Sequence, residues 1–220
     1  MAVQDIARRS FEANIRVLDT LEGRRRVIVA GANQFASVWT RDFCWAAGGL
    51  LAAGLGDVVR DTLLELCARQ RQDGLFPRLL DSCDPIARFL RSLFFGSAIP
   101  LKAPLFANFV SDHFVIAIDS NALLAWTTGR YARTTGDLVT IERLLPGLER
   151  GMAFYDSVEK EGLVRQPPFS DWKDTVAARR GAVFLTQLLR WQGLRELAWI
   201  SGKLGHSAAA AWTARAETVR

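Results

Sequence analysis

Apolar residues recur along the chain at helical spacing, in two patterns. In the first, one side alone is apolar. Residues 2–20 place Val3, Ala7, Phe11, Ile15 and Leu18 at steps of four or three, and residues 57–70 repeat this with Val59, Leu63, Leu66 and Cys67. Asp57, just after Gly56, is the expected cap of that second helix. Residues 137–156 carry Leu138, Ile141, Leu145, Leu148 and Met152, again one-sided, with Pro146 expected to kink or split the helix. In the second pattern the helix is apolar nearly all round, as in residues 39–54, 119–134 and 180–201. Helices without a polar face are buried on all sides.

One-sided and all-round helices alternate along the chain. An inner layer of helices wrapped by an outer one requires that order, which predicts an all-α double layer of the toroid type. A further helix is expected to begin in 205–220. Between helices, Arg26-Val27-Ile28-Val29-Ala30 reads as a short strand in a small hairpin or an extended loop. Pro85, Pro100 and Pro104 bracket an apolar run from Phe89 to Ile99, which predicts a short helix followed by a long loop over the barrel mouth.

Composition narrows the picture. The 220 residues are half apolar and carry a net charge of +5, which suits one globular domain over 1–220. The basic residues are almost all arginines and are scattered, with Arg24-Arg25-Arg26 as the one triplet, so no nucleic-acid partner is expected. The longest apolar stretch, Trp45 to Leu55, falls short of a bilayer span, and the N-terminus does not read as a signal peptide. Cys44, Cys67 and Cys83 lack metal-ligand spacing and read as small hydrophobes in a reducing compartment, so a cytoplasmic protein is expected. His113 and His206 stand far from any second ligand; neither a metal nor a cofactor is expected.

Three acidic motifs occupy corresponding places, each at or just before an all-round helix: Trp39-Thr-Arg-Asp42, Asp119-Ser-Asn121 and Ser170-Asp-Trp-Lys-Asp174. If the inner helices run parallel in a ring, their N-terminal ends line one face and the carboxylates converge. Carboxylates and amides bind adjacent hydroxyls, and Trp rings cover the apolar face of a pyranose. Glycosidic cleavage needs a protonated carboxyl beside the leaving oxygen and a second carboxylate acting on a water or on the sugar carbon. The plainer alternative treats Asp119 as a cap, Asp42 as a first-turn acid, and Asp171 and Asp174 as partners of Arg179 or Arg180.

Beyond these features lies a resemblance. Trp39-Thr-Arg-Asp42-Phe resembles the W-x-R-D-x segment of glycogen-debranching (amylo-α-1,6-glucosidase) proteins and neutral invertases. Gln72-Asp-Gly-Leu-Phe-Pro77 is similar to their Q-x-D-G-L-x-P turn, Asp119-Ser-Asn-Ala-Leu-Leu to their D-S/N-x-L helix start, Tyr131 through Asp137 to their Y-x-x-T-G-D loop, and Asp171-Trp-Lys-Asp174 to D-W-x-D. The resemblance spans residues 35–200.

It implies an (α/α)6 barrel, a six-hairpin glycosidase, hydrolysing α-glucosidic bonds of an oligo- or polysaccharide by general acid and water attack with inversion. Asp174 would be the general acid, with Asp171 as runner-up. Asp42, Asp119 and Asn121 would bind hydroxyls, helped by Trp39, Arg41 and Trp172. A complete barrel needs twelve helices and seven or eight are expected here, and no residue resembles the family's second catalytic carboxylate. The resemblance therefore implies a chain truncated at its C-terminus, with two alternatives to an enzyme: a carbohydrate-binding remnant lacking the base, or a helical interaction domain. Self-association through an open barrel edge is a further expectation.

Overall fold

The computed structural model describes residues 3–20, 22–96, 99–171 and 178–219. Eight α-helices stand among them. Contacts divide the chain into two compact units, Met1–Arg69 with Leu79–Asn108, and Gln70–Arg78 with Phe109–Arg220.

The first unit opens with α1 (Val3–Asn14), which ends earlier than its apolar spacing predicts. Residues Ile15–Thr20 form strand β1, paired antiparallel with β2 (Gly23–Ile28) in the register Ile15 to Ile28. The segment Ile15-Arg-Val-Leu satisfies both periods, and cross-strand pairing decides between them: Leu18 turns into the core while Val17 remains exposed. The hairpin absorbs the arginine triplet. Arg24 pairs with Asp19 at 3.4 Å, Arg25 with Glu22 at 2.5 Å and Glu65 at 3.5 Å, and Arg26 with Asp57 at 2.5 Å.

Helix α2 (Thr40–Ala52) follows a short strand β3 (Val38–Trp39), and α3 (Gly56–Cys67) follows α2. Both depart from the two-class reading. Helix α2 is not buried on all sides, since Asp42 is exposed and Trp45 is 51% exposed. Helix α3 buries its supposedly solvent-facing Asp61 and Glu65. Strand β2 roofs them: the Arg26 N–H donates to Asp61 Oδ2 at 2.8 Å, and the Ile28 N–H donates to Thr62 Oγ1 at 3.4 Å. Asp57 does not cap α3; the N-cap position is Leu55. Gly49 lets α1 approach closely, because a Cβ there would stand 2.8 Å from Phe11 Cζ.

Strand β3 pairs with β4 (Leu79–Asp81), which pairs with β5 (Phe106–Asn108), all antiparallel. This three-stranded sheet was not foreseen. Asp81 at its centre is buried, as is Arg88 of helix α4 (Pro85–Phe95). Arg88 grips Asp81 in two places, through Nε to Oδ2 at 2.6 Å and Nη2 to Oδ1, and its Nη1 donates to the Ile99 carbonyl at 2.5 Å. The Ser37 hydroxyl donates to Asp81 Oδ2 at 2.5 Å.

The second unit holds α5 (Asp119–Thr135), α6 (Leu138–Ala153), a 3-10 turn, the two-residue strands β6 (Glu159–Lys160) and β7 (Leu163–Val164), α7 (Phe184–Lys203) and α8 (Ala209–Thr218). Helix α5 is buried along most of its length, as its composition predicts. Gly129 admits Glu196 of α7, whose Oε2 would stand 2.1 Å from an added Cβ, and Gly193 of α7 packs against Met152 and Ala122. Pro146 does not split α6, which runs unbroken from Leu138 to Ala153. It lies on the exposed side, where a missing backbone bond costs least. The α5–α6 turn is closed by Gly136 at φ +68° and by Asp137, the N-cap of α6, which accepts from the Tyr131 hydroxyl at 2.6 Å.

Burial works against the Asp81 charge, but Arg88, Ser37 and the Ser82 N–H more than offset it and hold the carboxyl below the usual carboxylate range. A carboxylate depressed in the folded state adds stability above its unfolded pKa of about 4, and loses it as pH falls through the lower folded value. Chemical denaturation from neutral pH downward should therefore show a loss below about pH 4 that is reduced in Asp81→Asn. At neutral pH that substitution should cost about 3–5 kcal/mol, because Arg88 is left buried and unpaired.

Candidate functional site

The N-terminus of α5 enters the second unit almost fully buried, with Asp119, Ser120 and Asn121 only 1–3% exposed. The first N–H groups of a helix have no partner within it, and here no water reaches them. Tyr155 meets this need. Its fully buried hydroxyl accepts from the Ala122 N–H at 3.2 Å and donates to the Ile118 carbonyl at 2.7 Å. Burial, with the negative charge of Asp119 adding to it, pushes the Tyr155 phenol well up from its ordinary value, so the group is a fixed neutral donor.

The same turn is tied to the third acidic motif. The Ile118 N–H donates to the Ser170 carbonyl at 3.2 Å, and the Ser170 hydroxyl donates to the Ile116 carbonyl at 2.6 Å. Asp119 and Asp171 are thus each one residue from a shared backbone bond. Asp171 is buried, and its Oδ2 receives Arg179 Nη2 at 2.6 Å and Gln166 Nε2 at 3.0 Å. Gln166 accepts from the Thr186 hydroxyl and forms a two-bond backbone bridge with Gly181, at 3.0 and 2.8 Å. The residues on either side of 172–177 are therefore held together by a half-buried arginine on a buried carboxylate and by a buried amide. Trp172, Lys173 and Asp174 lie outside the described residues.

Asn121 acts from behind. Its amide donates to the carbonyls of Gly74 at 3.2 Å and Gly151 at 2.7 Å, and its Oδ1 accepts from the Phe76 N–H at 2.8 Å. Both donors and an acceptor are engaged, so it fixes the Gln72–Pro77 turn to α5 and α6. Gly74 makes that docking possible. Its φ is +93°, and an added Cβ would stand 2.3 Å from the Arg150 carbonyl oxygen. Gln70 bridges the Gly74 and Gly147 carbonyls at 2.9 and 2.8 Å and accepts from Arg150 at 2.8 Å.

In the first unit, Trp39 ends β3 at the N-cap position of α2, its ring 5.9 Å from that of Phe35. Arg41 and Asp42 lie in the first turn of α2, Arg41 half-buried and Asp42 open to solvent. Neither Asp42 nor Asp119 occupies an N-cap; those positions are Trp39 and Ile118, without side-chain caps. Of the motif at 170–174 the structure describes Ser170 and Asp171, neither of them helical, and α7 begins at Phe184. Tyr155 and Gln166 were missed. The signal available for Tyr155 was its place at the apolar end of α6, where a phenol must find a partner.

The described residues contain no group of three or more His, Cys, Asp or Glu placed to hold a metal ion. His113 stacks on Phe169 with ring centroids 3.8 Å apart. No helix among the described residues is long and apolar enough to cross a membrane.

No family model matches the chain, and no curated protein matches it. Solved structures do. A rhamnosidase from Klebsiella oxytoca, with rhamnose bound, superposes with a TM-score of 0.60 at 15% identity over 84% of this chain and 32% of its own. A GH78 family rhamnosidase of Bacillus sp. GL1 gives 0.58 at 16% identity over 84% and 17%. An unsaturated glucuronyl hydrolase from Bacillus sp. GL1, responsible for the degradation of glycosaminoglycan, gives 0.57 at 14% identity over 98% and 52%. The chain has the α/α-toroid fold. It spans about a sixth to a half of the lengths of these structures.

The glycine and the amide behind the site make separate stability predictions. Gly74→Ala should destabilise the second unit by more than about 2 kcal/mol, through positive φ and the backbone clash together. Asn121→Ala should cost about 2–4 kcal/mol by leaving buried backbone groups unpaired. Urea titrations followed by circular dichroism measure both.

Proposed function

We propose that this chain is part of a glycoside hydrolase, in which Asp174 is the general acid and Asp119 binds a sugar hydroxyl. The observation that carries this reading is the backbone bond between Ile118 and Ser170, which brings two of the three acidic motifs to one end of a buried helix. A sugar site needs several fixed carboxylates close together in a partly dry setting, and a helix held by Tyr155 and Ser170 supplies that rigidity.

Two carboxylates in D-W-x-D divide the work. Asp171 accepts from Arg179 and Gln166 on one oxygen, and the cation favours its charged form, which suits it to anchoring rather than to delivering a proton. Asp174, three residues on, takes the acid role. Trp172 covers the apolar face of the sugar, and Asn121 supports Asp119 through the turn it fixes. The reaction class is cleavage of an α-glucosidic bond in an oligo- or polysaccharide. The acid protonates the leaving oxygen while a water attacks the opposite face with inversion, giving its proton to the second carboxylate, which none of the residues assigned here supplies. The debranching-type motifs support the glucoside, and the rhamnosidase likenesses make rhamnosides the first competitor to test.

The test is hydrolysis by the purified chain of maltose, isomaltose, and nitrophenyl α-glucoside and α-L-rhamnoside, with calorimetric titration of the same sugars. Turnover of an α-glucoside should fall by about 10²–10⁴ in kcat for Asp174→Asn, with KM little changed. Asp119→Asn should raise KM or abolish binding. Asp171→Asn should lower the melting temperature, because it leaves Arg179 without its carboxylate. Binding of a sugar without turnover would replace the enzyme by a carbohydrate-binding domain. Neither heat nor hydrolysis with any of the four would overturn the carbohydrate reading.

A further inference from the structure

Helix α4 is oriented in reverse to a normal surface helix. Its one fully buried side chain is Arg88, held by the buried Asp81, while Ile86, Phe89, Leu90, Leu93 and Phe94 are 44–71% exposed. These five follow the spacing i, i+3, i+4, i+7, i+8, which puts them on one stripe opposite Arg88. The charged pair fixes which side faces out, because turning the helix over would bury the stripe only by tearing Arg88 from Asp81. Both ends are firm as well. Asp84 caps the N-terminus by accepting from the Ile86 and Ala87 N–H groups at 2.8 and 3.3 Å, and Gly96 closes the C-terminus at φ +60°.

We infer that this stripe is an interface with a second copy of the chain, the two α4 helices packing face to face about a two-fold axis. A stripe of this spacing is what two helices interdigitate, and an isologous contact needs no other surface than itself. The exposed parts of the five side chains come to roughly 500 Å² per copy, taking about 200 Å² for a whole aromatic side chain and less for Ile86, Leu90 and Leu93. Two copies thus bury at most about 1,000 Å², the size of a weak, concentration-dependent contact. A lipid surface is the weaker fit, because Arg91 is the one exposed basic residue on the helix and each such charge adds only about 1 kcal/mol at an anionic membrane. This inference is independent of the carbohydrate reading, since no residue proposed for sugar chemistry lies on α4.

Sedimentation velocity of the purified chain from 1 to about 100 μM tests it. A monomer–dimer equilibrium is expected in the wild type, little changed by added salt because the contact is apolar. Leu93→Glu and, separately, Phe94→Ser should each weaken it at least roughly tenfold, since central apolar anchors carry most of an interface. Both side chains are exposed, and unchanged circular dichroism confirms that each variant folds. A wild type that stays monomeric at the highest concentration overturns the inference. So does a dimer that both variants leave intact, which assigns association to another surface. A monomer that co-sediments with phosphatidylcholine–phosphatidylserine vesicles and is released by Leu93→Glu overturns it in favour of a membrane.

Discussion

A helix start sealed from water must find every hydrogen-bonding partner in protein, and this constraint organises the second unit. The first turn of α5 lies in the core, so its backbone groups take the Tyr155 hydroxyl and the Ser170 carbonyl in place of solvent. Those two partners come from segments 33 to 52 residues downstream. Satisfying the turn therefore fixes where the end of α6 and the Ser170–Asp171 segment must run. Arg179 and Gln166 then gather around Asp171 for the same reason, since a buried carboxylate requires a cation and donors. Rigidity at the candidate site is a by-product of this satisfaction.

Asp81 plays the corresponding part in the first unit. It belongs to the middle strand of a small sheet and gathers Ser37 from before β3 and Arg88 from α4. Its consequence is the reverse of the usual one. A buried charge on α4 leaves the apolar side of that helix no inward place, so a surface of leucine and phenylalanine is held outward. The hairpin over α3 shows the same economy of polar groups, with Asp61 and Thr62 taking N–H groups of β2.

The motifs that gave the sequence its resemblance separate by physical role. Gln72–Pro77 and Tyr131–Asp137 are structural: one depends on Gly74 packed against the Arg150 carbonyl, the other on a left-handed Gly136 and a capping Asp137. Asp119-Ser-Asn is mixed, since Asn121 serves the backbone while Asp119 begins the helix. Trp39-Thr-Arg-Asp42 leaves its carboxylate open to solvent. Motif order marks the fold strongly because much of each motif is there to build it.

Helix positions were legible from the sequence, because a 3.6-residue apolar period is a local property of the chain. So was the acidic character of the segments before and within α2 and α5. Where two periods fitted the same residues, as in Ile15–Thr20, only pairing with Gly23–Ile28 selected the strand. Burial of Asp61, Glu65, Asp81 and Arg88 was illegible, since a charge is buried only when a partner distant in sequence meets it. The sequence by itself determined where the longer helices lie. Tertiary structure alone decided which polar groups lie inside and which apolar stripe faces out, because those depend on partners tens of residues away.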